Sequence, residues 1–246
     1  MSSPRNPIIE RLITTEAKVH YKQPPPPKEQ PFVIVARNSS ILISAPHGSR
    51  AFRNNSKEIW HEEDEYTAGM ALLLGEVCDT SVIANVWQSD KCDPNWHDVK
   101  ECLYKQEMQN LTRHQPIRWV LDLHGAAETS LRSQTNLVDL GTRKDCKSME
   151  DRHRDKLREF IEARLGVGCV SSNIFQGGEV TVFCRDILRV QAVQIEMKPS
   201  VRVPLRKSEA SSFKTLGSFS AAPEKVIAML TALEDFITYL KELPKS

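Results

Sequence analysis

Short apolar runs alternate along the chain with longer segments in which apolar residues recur every three or four positions. The short runs are typical of buried β-strands, and the recurring spacing is typical of amphipathic α-helices. We predict strands at residues 32–35, 41–43, 81–87, 117–121 and 136–140 and a β-rich region at residues 169–197. Helices are predicted at residues 63–77, 97–113, 150–165 and 223–243.

Strands that are separated by helices need crossover connections, which place helices on both faces of a sheet. This order of elements predicts an α/β protein, a three-layer α/β/α sandwich around a central mixed sheet. In sheets of this kind, ligands bind where strands end and loops begin. We therefore expect functional residues to follow directly after apolar strands.

The first 30 residues do not follow this pattern. Four consecutive prolines at residues 24–27 favour an extended polyproline II conformation, which cannot continue a helix. We therefore predict a proline-rich N-terminal extension at residues 1–30 and a single folded domain at residues 31–246. The extension is expected to be a stiff spacer, with a docking ligand for an SH3-like partner as the alternative.

Composition and charge narrow the classes of partner. The chain has 246 residues, with 33 Lys and Arg against 32 Asp and Glu, and its formal net charge is +1. Nucleic-acid binding draws much of its affinity from excess positive charge, so this balance argues against a nucleic-acid partner. No apolar stretch approaches the roughly 20 residues of a membrane-spanning helix, and residues 1–10 lack the apolar core of a signal peptide. We expect no membrane partner.

The cysteines indicate an intracellular compartment. All six are scattered, and no pair has the C-x-x-C spacing of a zinc ribbon or a thioredoxin-like site. A secreted disulfide scaffold would be shorter and denser in cysteine. We therefore expect six free thiols and a cytoplasmic protein.

Three residues meet the requirement for strand-end placement. His47 and His124 each follow an apolar strand and precede a glycine, and Glu196 ends a third apolar run. Imidazole is a frequent zinc ligand, and a catalytic zinc has about three protein ligands and one open position. Asp64, from an acidic cluster between the two histidines, is our choice for the third ligand. The alternative is that these acids only stabilise the start of the following helix.

The sequence allows two roles for each of two further carboxylates. Asp122 lies two positions before His124, so both side chains leave the same face of the strand. Asp122 either orients His124 by a hydrogen bond or is a buried carboxylate satisfied by loop amides. Glu196 either takes a proton from a metal-activated water and passes it to a leaving amine, or forms a salt bridge with Lys198 or Arg202. Beside two strand-end histidines, catalysis is the preferred role.

Other motifs are weak. No G-x-S-x-G frame marks a serine hydrolase, and no glycine-rich motif provides a phosphate cradle. Residues 176–179, Gln-Gly-Gly-Glu, are typical of a hairpin turn between strands, with a lid as the alternative. Four other histidines lack strand-end placement and are expected to be surface or capping residues: His61, His97, His114 and His153.

Five segments in a fixed order carry a resemblance to a known family. They are Ser-Ala-Pro-His-Gly at residues 44–48, Glu-Asp-Glu-Tyr-Thr at 63–67, Asp-Pro-Asn at 93–95, Asp-Leu-His-Gly at 122–125 and Gln-Ile-Glu at 194–196. From about residue 33 to residue 202, the chain resembles the N-formylglutamate amidohydrolases, a branch of the zinc carboxypeptidase-like proteins with the phosphorylase/hydrolase-like fold. The resemblance implies that His47, Asp64 and His124 hold one Zn²⁺ ion. It also implies that Glu196 is the general base and acid.

One position departs from the family pattern. The family's Asp-Pro-Asn segment usually continues into an arginine that is suited to a substrate carboxylate, and here Trp96 follows instead. The candidates to supply the missing charge are Arg50, Arg53, Lys91 and Arg202. Alternatively, the substrate carries an aromatic or apolar group at this position.

The expected activity is zinc-dependent hydrolysis of the amide bond in a small N-acyl amino acid or short peptide, by a single zinc-hydrolase-like catalytic domain. Arg50, Asn95 and Arg202 are the predicted substrate-binding residues. Two alternatives stay open. One is a non-catalytic protein that binds peptides or acyl amino acids, and the other is a zinc carboxypeptidase that cleaves peptide or isopeptide links.

Overall fold

A seven-stranded mixed sheet forms the centre of the protein. The computed structural model describes residues 6–53, 59–131, 133, 135–144, 147–206 and 221–244. The strands are β1 (Phe32–Val35), β2 (Ile41–Ala45), β3 (Ala51–Phe52), β4 (Trp60–His61), β5 (Ser81–Asn85), β6 (Trp119–Gly125), β7 (Val138–Gly141), β8 (Val170–Ser172) and β9 (Gln191–Met197). The short strands β3 and β4 pair with each other outside the main sheet.

The main sheet has the strand order β1-β5-β2-β6-β9-β7-β8. Its central strands β5, β2, β6 and β9 are parallel, whereas β1 and β7 run antiparallel to their neighbours β5 and β9. The carboxyl ends of the parallel strands therefore lie at the same edge of the sheet. Loops from distant parts of the sequence meet at this edge.

Helices cover both faces of the sheet. They are α1 (Pro7–Glu16), α2 (Thr67–Val77), α3 (Leu103–His114), α4 (Asp151–Leu165), α5 (Glu179–Phe183), α6 (Pro199–Arg202) and α7 (Pro223–Glu242), and α5 continues into a π-helical turn, Cys184–Leu188. Helices α1, α2, α4 and α7 share the larger hydrophobic core with one face, and α3 and α5 pack on the other face. This arrangement confirms the predicted three-layer α/β/α sandwich with a central mixed sheet.

Alternate side chains of each central strand face the two cores. In β6, Leu121 and Leu123 belong to the larger core, and Val120 belongs to the smaller one. Asp122 and His124 therefore leave the strand on the same side as Val120, the side that α3 and α5 cover. Because β6 is buried on both faces, its sequence is apolar until it reaches these two residues.

Several element boundaries differ from the predictions. The helix predicted at residues 63–77 begins only at Thr67, because Tyr66 has a left-handed backbone conformation with φ of 70°. The helix predicted from residue 97 begins at Leu103. The predicted hairpin turn at residues 176–179 is wrong, since Glu179 is the first residue of α5. The α5 sequence, Glu-Val-Thr-Val-Phe, is rich in strand-favouring residues, and packing against the smaller core overrides that preference.

The N-terminal residues belong to the larger core. Helix α1 begins after Asn6, whose side chain accepts a hydrogen bond from an amide of the first turn, and proline occupies its first position. Ile9, Leu12 and Tyr21 are buried in the core that lies under α2. The extension predicted for residues 1–30 is therefore corrected for residues 7–21, which are part of the folded domain.

The described cysteines have free thiols, as the sequence predicts: Cys78, Cys92, Cys102, Cys169 and Cys184. Cys146 lies outside the described residues. Among the helices of the described ranges, none combines the length and the apolar character that crossing a bilayer requires.

We expect the Leu12→Ala variant to lower the free energy of unfolding by about 2–5 kcal/mol, because it removes a fully buried side chain of α1. The control Val167→Ala, at a residue that is 95% exposed, should change this free energy by less than about 0.5 kcal/mol. Urea unfolding followed by circular dichroism measures both. Equal stabilities of the two variants would contradict the placement of α1 in the core.

Candidate metal centre

Two histidines and a glutamate lie at the carboxyl edge of the sheet. His47 follows β2, His124 is near the end of β6 and Glu196 is near the end of β9. The register of β6 and β9 pairs His124 directly with Glu196. All three side chains are buried. The structure thus brings together the residues that their strand-end positions singled out.

The glycine after His47 allows α2 to approach the end of β2. A Cβ atom at Gly48 would lie 2.4 Å from the Cβ atom of Ala68 in α2 and 2.5 Å from the carbonyl oxygen of Asn85. A side chain at this position would therefore push α2 away from the sheet. The close approach brings His47 against the loop that precedes α2, which carries Asp64.

Asp64 lies between the two imidazoles. Its Oδ2 atom is 3.6 Å from His47 Nδ1 and 3.4 Å from His124 Nδ1. The ligand atoms of the three residues all lie within 4.8 Å of one another. The main chain fixes the position of Asp64, because its N–H donates to the carbonyl oxygen of His47 at 2.7 Å. A buried His–Asp–His group of this kind is suited to one metal ion.

Two other carboxylates hold the far nitrogens of the rings. His47 Nε2 hydrogen bonds with Asp93 Oδ1 at 2.8 Å, and His124 Nε2 hydrogen bonds with Asp122 Oδ2 at 2.9 Å. Because a carboxylate accepts, each Nε2 carries a proton and each Nδ1 faces Asp64. Carboxylates commonly orient metal-binding histidines in this way. For Asp122, the contact favours the orienting role over a carboxylate that loop amides satisfy.

The donor set fits a metal ion. Within the described part of the chain, the buried Nδ1 atom of His47 has no hydrogen-bond partner. A buried polar atom without a partner is costly, and a coordinate bond would satisfy it. Two imidazole nitrogens and one carboxylate oxygen are donors that zinc accepts readily.

Electrostatics at the centre favour a cation. Burial on its own would lower the pKa of His47, but the carboxylates of Asp93 and Asp64 raise that pKa to about 9. Burial would raise the pKa of Asp64, yet the neighbouring imidazoles of His124 and His47 hold it well below its usual value. The surrounding groups thus stabilise positive charge at the Nδ1 atoms. A metal ion bound there would displace protons from the imidazoles.

Glu196 is held by an amide. Gln194, two residues earlier on the same face of β9, donates from Nε2 to Glu196 Oε1 at 2.9 Å. The alternative salt bridge is not formed, since Lys198 and Arg202 donate to main-chain carbonyl oxygens instead. Burial raises the pKa of Glu196 to about 7. A carboxyl group with a pKa near neutrality can both accept and deliver a proton.

The three residues predicted to bind substrate have different surroundings. The Nδ2 atom of Asn95 lies 3.4 Å from His124 Nε2, the ring nitrogen that faces away from Asp64. Arg202 is buried, and its guanidinium group is committed to main-chain carbonyl oxygens. The guanidinium group of Arg50 lies over the ring of Trp60, 4.5 Å from its centroid. A substrate-binding role for the three stays a prediction.

Asp93 belongs to the centre, although the sequence indicated no role for it. Its Oδ1 holds His47, and its Oδ2 accepts hydrogen bonds from Nε and Nη2 of Arg53, both at 2.7 Å. The guanidinium group of Arg53 lies 5.6 Å from the ring centroid of Trp96. The Asp-Pro-Asn motif could have indicated a role for Asp93, but Asp93 lies in a loop well after β5 rather than at a strand end. The strand pattern therefore did not place it.

Two of the other histidines are not surface or capping residues, contrary to the prediction. His61 stacks on His47, with ring centroids 3.8 Å apart. Burial and the charge of His47 lower the pKa of His61 to about 3. His153 is buried far from the centre, where its Nδ1 hydrogen bonds with the hydroxyl of Tyr239 at 2.9 Å. His61 therefore forms part of the wall of the centre.

The fold is similar to those of several solved structures. The structure matches N-formylglutamate amidohydrolase from Ralstonia eutropha JMP134 with a TM-score of 0.53 and 14% sequence identity, over 86% of this chain and 97% of that chain. A bacteriophage poly-gamma-glutamate hydrolase matches with a TM-score of 0.46 and 13% identity, over 85% of this chain and 90% of the other. A metallo-carboxypeptidase from Burkholderia cenocepacia matches with a TM-score of 0.44 and 10% identity, over 85% and 61%.

The sequence by itself matches no protein-family model and no curated protein. At 14% identity, the match to N-formylglutamate amidohydrolase establishes the fold alone. The predicted likeness to the N-formylglutamate amidohydrolase architecture is confirmed at that level. The chain thus combines this α/β fold with a buried His–Asp–His group that can hold a metal.

We expect His47→Ala and His124→Ala to lose stoichiometric zinc, because each removes one of three donors. His114→Ala, at an exposed position in α3, should keep it. Elemental analysis of the purified proteins measures the zinc content per chain. Zinc retained by a double variant, His47→Ala with His124→Ala, would disprove the ligand assignment.

Asp93→Asn should weaken zinc binding by about 10–100-fold while all three ligands remain, because a neutral amide holds the proton on His47 Nε2 less firmly than a carboxylate does. Asp98→Asn, at an exposed position nearby, is the matched control and should bind zinc like the wild type. Competition with a chromophoric chelator measures the affinities. Unchanged affinity in Asp93→Asn would show that His47 does not need this partner.

Proposed function

We propose that this chain is a zinc-dependent amidohydrolase that cleaves the amide bond of a small N-acyl amino acid, of the N-formyl type, or of a short peptide. The observation that carries the proposal is a His–Asp–His group faced by a buried glutamate from the adjacent strand. A protein that only binds acyl amino acids has no need of Glu196 at this position. The fold shared with N-formylglutamate amidohydrolase supports the same class of reaction.

His47 and His124 would hold the ion through Nδ1, and Asp64 through a carboxylate oxygen. When bound, zinc polarises the amide carbonyl and lowers the pKa of water to about 7. Asp93 and Asp122 hold the Nε2 protons of both rings, so both Nδ1 atoms stay directed inward. The two rings therefore need no rearrangement when the ion binds.

Glu196 is the proton carrier in this scheme. Its carboxylate takes a proton from the attacking water and then delivers that proton to the nitrogen of the leaving amine. Gln194 restricts the rotation of the carboxylate by donating to Oε1. The position of Glu196 opposite His124 keeps the proton carrier beside the metal ligands throughout the reaction.

Recognition of the substrate is proposed for the loop that carries Asn95 and Trp96. Asn95, whose Nδ2 lies 3.4 Å from His124 Nε2, would use its amide to hold a polar group of the substrate beside the centre. Trp96 is 53% exposed, so an aromatic or apolar group of the substrate can pack on its ring. Arg53, which lies over the same ring, is better placed than Arg50 to attract a substrate carboxylate.

The Glu196→Gln variant should bind zinc like the wild type but lose about 10²–10⁴-fold in turnover, because glutamine cannot carry the proton. Glu159→Gln, at a solvent-exposed glutamate of α4, is the matched control and should keep full turnover. Release of free amine from a panel of N-formyl amino acids, N-acetyl amino acids and dipeptides measures the activity. Full turnover in Glu196→Gln would refute its catalytic role.

The same panel separates the alternative functions. Binding of panel compounds by zinc-loaded wild-type protein with no release of amine would favour a non-catalytic binder. Cleavage of dipeptides without cleavage of N-formyl amino acids would favour a carboxypeptidase.

Trp96→Arg should shift the preference of the enzyme toward N-acyl amino acids with an acidic side chain, because a guanidinium group pairs with a carboxylate. We expect the ratio of kcat/KM for acidic over aromatic substrates to rise by about tenfold or more. Trp96→Leu, which removes the ring without adding charge, should lower kcat/KM for aromatic substrates alone. An unchanged ratio in both variants would exclude Trp96 from the substrate pocket.

A further inference from the structure

The carboxylate of Glu16, the last residue of α1, is buried at the first turn of α2. Its Oε1 accepts a hydrogen bond from the N–H of Tyr66 at 2.9 Å, and its Oε2 accepts one from the N–H of Gly69 at 2.8 Å. The hydroxyl of Tyr21 also donates to Oε1. The N-terminal segment therefore supplies a charged group to a helix that lies about 50 residues further along the chain.

Helix α2 needs this partner because it lacks a cap of its own. The first N–H groups of a helix have no acceptor within the helix, and a Ser, Thr, Asp or Asn side chain usually supplies one. In α2 the capping position is Tyr66, which has a left-handed backbone and makes no side-chain capping bond. Glu16 takes over that role from outside, and its negative charge also suits the positive end of the helix dipole.

The same turn holds Asp64 in place. The carbonyl oxygen of Asp64 accepts hydrogen bonds from Thr67 N at 3.0 Å and from Thr67 Oγ1 at 2.7 Å. Thr67 lies between Tyr66 and Gly69, the two residues whose amides Glu16 holds. A shift of this turn would therefore move Asp64 relative to the two imidazoles, which are fixed separately by the strands.

The contact between α1 and α2 leaves no space for a larger residue. A Cβ atom at Gly69 would lie 2.5 Å from Glu16 Oε2. The carboxylate thus touches the main chain of α2 directly, and a change on either side of the contact displaces the other.

We propose that Glu16 is a positioning residue of the metal centre, whose carboxylate fixes the first turn of α2 and thereby keeps Asp64 within reach of both His Nδ1 atoms. The inference rests on the proposed function, since it concerns a proposed ligand of the metal. It goes beyond that function because it makes the N-terminal segment part of the centre.

The test compares Glu16→Gln with Leu12→Ala in the full-length chain. Glutamine keeps the shape of the side chain but presents an NH₂ group to one of the amide donors, whereas Leu12→Ala destabilises α1 and keeps the carboxylate. We expect Glu16→Gln to weaken Co²⁺ and Zn²⁺ binding by about tenfold or more, with an altered Co²⁺ absorption spectrum. Leu12→Ala should bind both metals like the wild type, at a temperature where both variants are folded.

Gly69→Ala is the second variant, should Glu16→Gln fail to fold. It displaces the carboxylate without removing its charge, and we expect it to weaken metal binding in the same direction. If Glu16→Gln or Gly69→Ala folds and binds metal with the affinity of the wild type, the proposal is overturned. Equal weakening in Leu12→Ala would also overturn it, because affinity would then follow the stability of α1 rather than the carboxylate.

Amide hydrogen exchange in the metal-free proteins separates this inference from the proposed function. We expect faster exchange at Thr67 and Gly69 in Glu16→Gln than in Leu12→Ala. If the wild type binds no metal, the proposed function fails, and the exchange rates still test the contact. If the Gly69 amide of Glu16→Gln is as protected as in the wild type, the role of Glu16 is refuted, whether or not the wild type binds metal.

Discussion

A buried carboxylate between two buried imidazoles is the constraint on which the centre depends. Charged groups are costly to bury unless opposite charges or hydrogen bonds compensate them. Asp64 faces the Nδ1 atoms of His47 and His124, and a further carboxylate holds each ring from behind. In the metal-free state, this environment favours protonation of both rings. Two such protons carry the same charge as one divalent cation. Metal binding can therefore exchange them for one ion without changing the net charge of the buried cluster.

The fold places the groups of this cluster with unequal rigidity. His124 and Glu196 are on paired central strands, whose ladder fixes their separation. Asp64 lies on a loop, and sites on loops are less firmly held than sites on strands. Its position depends on the carbonyl oxygen of His47 on one side and on the first turn of α2 on the other. The packing of α2 against the sheet and against α1 is therefore as important to the centre as the sheet itself.

Strand-end placement identified His47, His124 and Glu196, because the ends of parallel strands converge whatever loops join them. The same reasoning could not find Asp93 or the contact of Glu16 with α2. The local sequence pattern of a loop does not determine its path in space. Helix α5 was missed because its Val and Phe residues favour strands, and only packing decides otherwise.

Helix α1 did carry a signal that could have been found. An Asn-Pro start is typical of a helix N-terminus, and Ile9 and Leu12 have the spacing of a buried helical face. Because of the proline run that follows, the whole segment of residues 1–30 was predicted to be an extension. Glu16 and Asp64 lie far apart in sequence, so their link through α2 depends on the tertiary structure. Within the centre, two acids near the imidazoles have opposite environments. Asp64 lies between two rings that stabilise its charged form, whereas Glu196 is held by a neutral amide. Carboxyl groups whose pKa values are driven apart in this way divide into a permanent anion and a proton carrier. Geometry and electrostatics thus both support the proposal that Asp64 is the ligand and Glu196 the acid–base group.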